Sequence, residues 1–151
     1  MTDARLRLAT VVLSLLGIAV AGYLTYVHYA DLEPVCVGGG GGCAVVQASD
    51  QSELAGIPVA LLGLLAYITI LATTTSAAEP ARMLAALVAF VGSGFSVYLT
   101  IESVTVIQAT CQWCLVSLAL MTLLAVVGAV RVLRPEAAVS EEGLEPSTRG
   151  L

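Results

Sequence analysis

The chain of 151 residues has little charge and no lysine. Only 11% of its residues are charged, against 58% that are hydrophobic, which is typical of an integral membrane protein and not of a soluble domain. All six positive charges are arginines, and the net charge is −5. Nucleic-acid binding calls for a basic stripe, so no nucleic-acid partner is expected.

Charge is also absent from four long apolar runs, over residues 8–27, 57–78, 83–101 and 111–130. Twenty helical residues reach about 30 Å, the thickness of a bilayer core. Buried charges would mark a transport path, so their absence argues against an unrelated transporter. We predict an all-α integral membrane protein, a four-transmembrane-helix bundle in contact with membrane lipid, with a short helix in its outer loop. The approximate spans are residues 7–29, 57–77, 83–103 and 110–132.

The predicted domain organisation is simple. Residues 1–135 form one membrane domain with an outer redox loop over residues 31–56, and residues 136–151 form an acidic, disordered cytoplasmic tail. A cleaved signal peptide is the alternative for the first run, because two arginines precede it and Ala19-Val20-Ala21 resembles a cleavage site. The apolar run continues well past that site, which favours a membrane helix.

The arginines predict the orientation of the bundle. Four spans place both termini on the same side as the connection around Arg82, and that side then holds all six arginines. Because cationic loops stay in the cytoplasm, both termini are predicted to be cytoplasmic in a multi-pass protein. All four cysteines then lie on the outer side, where disulfides persist.

The motif Cys111-Gln112-Trp113-Cys114 opens the fourth run. Its cysteines are three positions apart and project from one face of a helix. The exposed N–H groups and the positive end of a helix dipole stabilise a thiolate there, and a thiolate is the species that attacks a disulfide. The motif therefore indicates thiol–disulfide exchange at the membrane boundary.

Cys36 and Cys43 form the second pair, and they enclose six residues of which five are glycine. Closing so short a loop restricts the unfolded chain by only about 2–3 kcal/mol, and glycine adds mobility. We interpret the pair as a mobile dithiol/disulfide that passes electrons to the helix pair. Two structural disulfides, a four-cysteine zinc site and incidental cysteines are the alternatives.

The helix pair needs an electron acceptor within the membrane. The sequence has no haem or flavin signature, and a quinone is the natural two-electron acceptor. The expected donor is a soluble thiol protein on the outer side.

In this order the motifs resemble the bacterial branch of the vitamin K epoxide reductase family. The first outer loop carries a cysteine pair followed six residues later by Ser49, Gly56-Ile57-Pro58 enters the second helix, and C-x-x-C opens the fourth. The resemblance runs from about residue 5 to residue 134. DsbB proteins do similar work, but their quinone-side C-x-x-C lies on an earlier helix.

The resemblance implies a quinone-dependent thiol oxidase in the bacterial cytoplasmic (inner) membrane, with menaquinone or ubiquinone as acceptor and no metal. It implies that Cys36 receives electrons from the partner, that Cys43 exchanges with Cys111, and that Cys114 faces the quinone. Many bacterial members carry a fused thioredoxin-like domain. The sequence has none, so a separate, extracytoplasmic thioredoxin-fold (DsbA-like) partner is expected.

Support for the site is expected from Ser49, the family's loop serine, with helix capping as its alternative role. Trp113 is expected near the quinone or, as a plainer role, as an interfacial anchor. The animal enzymes have a quinone-binding asparagine and a tyrosine where this chain has Val59 and Leu118. Epoxide reduction is therefore in doubt. The alternative function is a non-catalytic membrane protein with two structural disulfides.

Overall fold

A computed structural model describes residues 3–38, 41–76 and 78–134, with the side chain of Gln51 excepted. The predicted tail over residues 136–151 lies outside the described residues, as do Gly39 and Gly40 of the glycine run. The described chain is mostly helical, in agreement with the all-α prediction.

Five α-helices account for most of the described chain. They are α1 (Asp3–Tyr29), α2 (Gly42–Gln47), α3 (Val59–Thr74), α4 (Glu79–Glu102) and α5 (Gln112–Leu133). The 3₁₀ turn Asp50–Ser52 and a hairpin of strands β1 (Glu53–Leu54) and β2 (Ile57–Pro58) lie between α2 and α3. A π-helical turn, Ser103–Ile107, extends α4.

Three helices are long and apolar enough to cross a membrane: α1, α4 with its π-helical extension, and α5. Helix α3 is equally apolar but has only 16 residues. Large apolar side chains point outward along the helices, as with Leu8, Leu65 and Val126, which are each more than 50% exposed. Outward-facing apolar surface on this scale is expected of helices that contact lipid.

The start of α3 differs from the predicted span, which begins at residue 57. Glu53 pairs with Pro58 and Leu54 with Ile57 in the antiparallel hairpin, so Pro58 is the residue before the helix. Ala55 and Gly56 form the hairpin turn with φ values of 54° and 81°. Two consecutive positive φ values are typical of the two-residue turn that suits a twisted hairpin. The hairpin therefore shortens α3 at its N-terminal end.

Small residues let neighbouring helices approach closely. A Cβ atom at Gly17 of α1 would overlap the ring of Tyr67 of α3, and Tyr67 is fully buried. A Cβ at Gly128 of α5 would lie 3.2 Å from the Cα of Ala86 of α4. Ala85 and Ala89 of α4 are likewise small and are buried in the core. The core also includes Ala21, Ile70, Leu120, Met121, Leu124 and Ala125.

The two ends of the bundle differ in composition. Arg7 at the start of α1 donates to the carbonyl of Thr74 at the end of α3 at 3.1 Å, which shows that the two helices are antiparallel. Arg131 near the end of α5 is 7% exposed and interacts electrostatically with Arg7 and Arg82. The cysteines lie at the opposite end, in the loop after α1 and at the start of α5.

The connection between α4 and α5 directs the chain to the C-x-x-C motif. Gln108 ends the π-helical turn with a φ of 54°, and the N–H of Ala109 donates to the carbonyl of Ser103 at 3.1 Å. A left-handed residue at this position satisfies a helix-end carbonyl and reverses the chain direction. The reversal places Cys111 at the N-cap of α5.

Candidate active site

Cys36 and Cys43 form a disulfide, and their Cα atoms are 6.1 Å apart. The two halves of this bond differ in access: Cys36 is partly exposed, whereas Cys43 is 0% exposed. A thiolate arriving from solution would therefore meet the sulfur of Cys36. Cys43 faces the protein interior.

Gly42 allows the chain next to Cys43 to pack closely against the residue before Cys111. A Cβ at Gly42 would lie 2.5 Å from the carbonyl oxygen of Thr110, closer than real Cβ contacts allow. Only glycine fits this contact between the start of α2 and the residue before Cys111. The glycine run was interpreted as a source of mobility, but its last member is a packing residue.

Cys111 and Cys114 are free thiols, and Cys111 is 1% exposed. The pKa of Cys111 falls from its usual value to about 7, mainly because the Cys114 thiol donates a hydrogen bond to it. The backbone N–H groups of Cys114 and Trp113 lower it further, while burial opposes them. Cys111 at the helix N-cap is therefore a stabilised thiolate, the form that attacks and leaves in disulfide exchange.

Cys114 also lines a cavity of about 480 Å³ between the helices. The wall is formed by α1, α2, α3, α4 and α5 together with the hairpin and the π-helical turn. None of the described residues that line it is charged, and most are aliphatic. A largely apolar cavity of this volume suits a planar organic molecule.

A few polar groups interrupt the apolar wall. Ser117 lies one turn after Cys114 and lines the cavity. The hydroxyl of Tyr67 donates to the backbone carbonyl of Ser117 at 3.0 Å and also forms a hydrogen bond of 3.0 Å with the Ser117 hydroxyl. The Nε2 of Gln47 is buried and has no hydrogen-bond partner among the described residues. The remaining polar lining residues are Ser52, Ser96 and Ser103.

A model of the vitamin K epoxide reductase family matches residues 8–129 of the chain. The match covers the four cysteines and every described residue that lines the cavity. The chain belongs to the vitamin K epoxide reductase family. Members are generally oxidoreductases, so the function class of this protein is a thiol oxidoreductase with a disulfide between Cys36 and Cys43.

Only one of the four residues predicted to support the site lines the cavity in this family member. Val59 lines the cavity, whereas Ser49, Trp113 and Leu118 are not part of its wall. Ser49 is the N-cap of the 3₁₀ turn but makes no capping bond, since its hydroxyl donates to the carbonyl of Val46 at 2.6 Å. The side-chain capping expected of Ser49 is therefore not formed.

Trp113 makes contacts that were expected neither for a residue near the quinone nor for an interfacial anchor. Its Nε1 donates to the carbonyl of Val35 at 2.8 Å, and its ring lies 5.4 Å from that of Tyr23. His28 contacts Glu53 at 3.3 Å and connects the end of α1 to the hairpin.

Sequence reasoning missed Gln47, Tyr67 and Gly17 as parts of the site. Tyr67 is the only tyrosine within an apolar run away from its ends, which was a usable signal for a buried hydroxyl with a partner. No comparable signal marks Gln47 or Gly17. The described residues also contain no group of three His, Cys, Asp or Glu side chains that could hold a metal ion.

Proposed function

We propose that the protein is a quinone-dependent thiol oxidase that takes electrons from a thioredoxin-fold protein and delivers them to a membrane quinone. One observation carries the proposal. Cys114 belongs both to the dithiol with Cys111 and to the wall of the large apolar cavity. A dithiol beside an uncharged apolar cavity is placed to reduce an apolar two-electron acceptor.

The first step is exchange between the partner and the loop disulfide. A thiolate of the partner attacks the exposed sulfur of Cys36, and Cys43 leaves as a thiolate. The second thiol of the partner then attacks the mixed disulfide, so the partner departs as a disulfide and the loop holds two thiols. Two electrons and two protons have entered the protein.

The second step is transfer between the two cysteine pairs. The thiolate of Cys43 attacks Cys111 in the Cys111–Cys114 disulfide, and Cys114 is released. Cys36 then attacks Cys43, which re-forms the loop disulfide and releases Cys111 as a thiolate. The low pKa of Cys111 favours this departure. The structure, with its loop disulfide and two free thiols, has the arrangement expected at the end of this step.

A quinone bound in this cavity would supply a two-electron, two-proton acceptor for the dithiol of Cys111 and Cys114. The apolar wall would bind the ring and exclude water, and Cys114 would face it. Gln47 supplies a buried N–H group without a partner at the same cavity, which suits a carbonyl oxygen of the ring. The animal enzymes have a quinone-binding asparagine at the position of Val59. In this chain Gln47 would donate the hydrogen bond to the quinone instead.

We place the protein in the bacterial cytoplasmic membrane with four membrane-spanning helices. Helix α3 is one of them, in addition to α1, α4 and α5. Its 16 residues reach about 24 Å, and the hairpin before it and the polar residues after it complete the crossing. Both termini and the arginine-rich end would be cytoplasmic, by the positive-inside rule. The cysteine end would face a separate DsbA-like partner outside.

Replacing Cys114 by Ala tests the proposal. Purified protein with a reduced thioredoxin-fold partner should reduce a short-chain ubiquinone or menaquinone analogue, followed by quinone absorbance. Cys114→Ala should abolish quinone reduction and retain the helical circular-dichroism spectrum. It should also accumulate a Cys43–Cys111 mixed disulfide, which forms when the Cys111 thiolate attacks Cys43 of the loop disulfide and Cys36 leaves as a thiolate. No Cys114 thiol then remains to attack Cys111 and resolve it.

Val116→Ala is the matched control, since Val116 lies two residues further along α5, is 38% exposed and is not part of the cavity wall. It should retain wild-type turnover. Unchanged quinone reduction in Cys114→Ala would contradict the proposal and favour a non-catalytic protein.

A further inference from the structure

The two middle residues of the C-x-x-C motif bind the backbone on both sides of Cys36. The side-chain oxygen of Gln112 accepts a hydrogen bond from the N–H of Val37 at 3.2 Å. The indole N–H of Trp113 donates to the carbonyl of Val35 at 2.8 Å. These four residues join the start of α5 to the segment that carries the exposed loop cysteine.

The end of α1 supports the same segment. The hydroxyl of Tyr23 accepts a hydrogen bond from the N–H of Val35 at 3.0 Å, and its ring packs against Trp113 with centroids 5.4 Å apart. Val35 is thus held through both its N–H and its carbonyl group. Val35 and Val37 are 68% and 75% exposed, so burial of their side chains does not hold the segment in place.

Neither contact serves α5 itself. The N-cap of α5 has no side-chain capping bond, and neither Gln112 nor Trp113 lines the cavity. Both side chains use their polar groups on the loop. Gln112 and Trp113 lie between Cys111 and Cys114 in the sequence. Their hydrogen bonds therefore attach the Cys36 segment to the start of α5.

We propose that Gln112 and Trp113 are positioning residues that clamp the Cys36 segment against the C-x-x-C motif during disulfide transfer. The inference rests on the proposed function. The clamp is the pair of hydrogen bonds Gln112–Val37 and Trp113–Val35. Glycine between the loop cysteines leaves Cys36 free to move away from the mixed disulfide, and the clamp keeps its thiol within reach of Cys43.

The clamp acts on one step of the exchange. Once Cys43 has formed a bond to Cys111 and released Cys114, Cys36 must attack Cys43. The Cys36–Cys43 bond forms, the Cys43–Cys111 bond breaks, and Cys111 leaves with the electron pair. A Cys36 that has moved away slows this attack, and the mixed disulfide accumulates.

The test oxidises fully reduced full-length protein in detergent with excess decylubiquinone and follows quinol formation over time. The wild type should form quinol in two phases of one equivalent each. The first comes from Cys111 and Cys114, and the second requires transfer from Cys36 and Cys43. No partner protein is needed, so the clamp is measured apart from docking.

The variants remove one hydrogen bond at a time. Gln112→Leu removes the acceptor, and Trp113→Phe removes the N–H but keeps an aromatic ring beside Tyr23. Together they should slow the second phase by about tenfold and leave the first phase within about twofold, with each single variant in between. Acid-quenched, alkylated samples should contain more Cys43–Cys111 disulfide. Gln112→Glu keeps an oxygen acceptor and should restore the wild-type second phase.

Three outcomes would overturn the clamp. They are an unchanged second phase in the double variant, equal slowing of both phases, and failure of Gln112→Glu to differ from Gln112→Leu. Failure of the proposed function looks different, since the wild-type protein would then form no quinol or stop after one equivalent.

Discussion

The two cysteine pairs differ in how the protein holds them. Cys36 lies in the loop after α1 and is partly exposed, Cys43 lies in α2 and is buried, and the two are joined as a disulfide. Cys111 and Cys114 lie at the start of a long helix as thiols that share a hydrogen bond. The loop pair has access to water, and the helix pair has access to the cavity. An electron relay between water and lipid needs one pair of each kind.

The largest expected effect comes from breaking the contact that joins the pairs. Gly42→Ala places a Cβ 2.5 Å from the carbonyl oxygen of Thr110, and backbone cannot move away cheaply. We expect electron transfer between the two cysteine pairs to slow by at least about tenfold, because small misplacements of reacting groups lower the rate steeply. The rate of the second phase of quinol formation measures this transfer.

Gly41→Ala is the matched control, because nothing lies within 4 Å of a Cβ at that position and its φ is −62°. It should behave as wild type. If Gly42→Ala transfers electrons at the wild-type rate, the contact with Thr110 does not position Cys43.

The second prediction concerns the packing of α1 against α3. Gly17→Ala would place a Cβ inside the ring of buried Tyr67, and overpacking of this kind costs about 1–3 kcal/mol. The melting temperature in detergent should fall. Gly22→Ala on the same helix meets no atom within 4 Å and should leave it unchanged. Equal melting temperatures for both variants would count against the close packing of α1 and α3.

The pH dependence separates the helix pair from an ordinary dithiol. The pKa of Cys111 is lowered to about 7, so its thiolate is present above that pH and is lost as the pH falls through it. Quinone reduction by the pre-reduced helix pair should drop about tenfold between pH 8 and pH 6. Thiolate absorbance at graded pH gives the same midpoint directly.

Cys114→Ala removes the main hydrogen bond that lowers this pKa, so the thiolate midpoint should move to higher pH. A midpoint that stays near 7 in that variant would show that the helix N-terminus, and not Cys114, stabilises the thiolate.

The smallest expected effect is that of Tyr67→Phe. It removes the hydroxyl that bonds to Ser117, one turn below Cys114, and leaves the ring against Gly17. The free energy of unfolding should fall by about 1 kcal/mol, with little change in transfer between the pairs. A loss as large as that of Gly17→Ala would mean that the hydrogen bond, and not the ring packing, supports this part of the bundle.

The sequence predicted helix content and cysteine pairs well because their signals are local. Long uncharged runs indicate membrane helices, and C-x-x-C at the start of a run indicates a reactive thiol whatever surrounds it. The contacts of Gln112, Trp113 and Gly42 depend on residues between 68 and 78 positions away in the chain. No periodicity reports such pairs, and glycine has the same letter whether it flexes or packs.

The hairpin before α3 shows the same limit at a smaller scale. Gly56-Ile57-Pro58 was read as the entry to a helix, and Pro58 is a common first helical residue. The positive φ of Ala55, which no propensity favours, allows Pro58 to pair with Glu53 instead. A tertiary arrangement thus decided between two locally acceptable structures.

The burial of Cys111 has a chemical consequence for the durability of the protein. A thiol with a lowered pKa is the kind that hydrogen peroxide converts first to sulfenic acid and then irreversibly to sulfinic acid. With 1% of its surface exposed, Cys111 meets almost no dissolved peroxide. Burial thereby protects from oxidation a sulfur that its lowered pKa makes reactive.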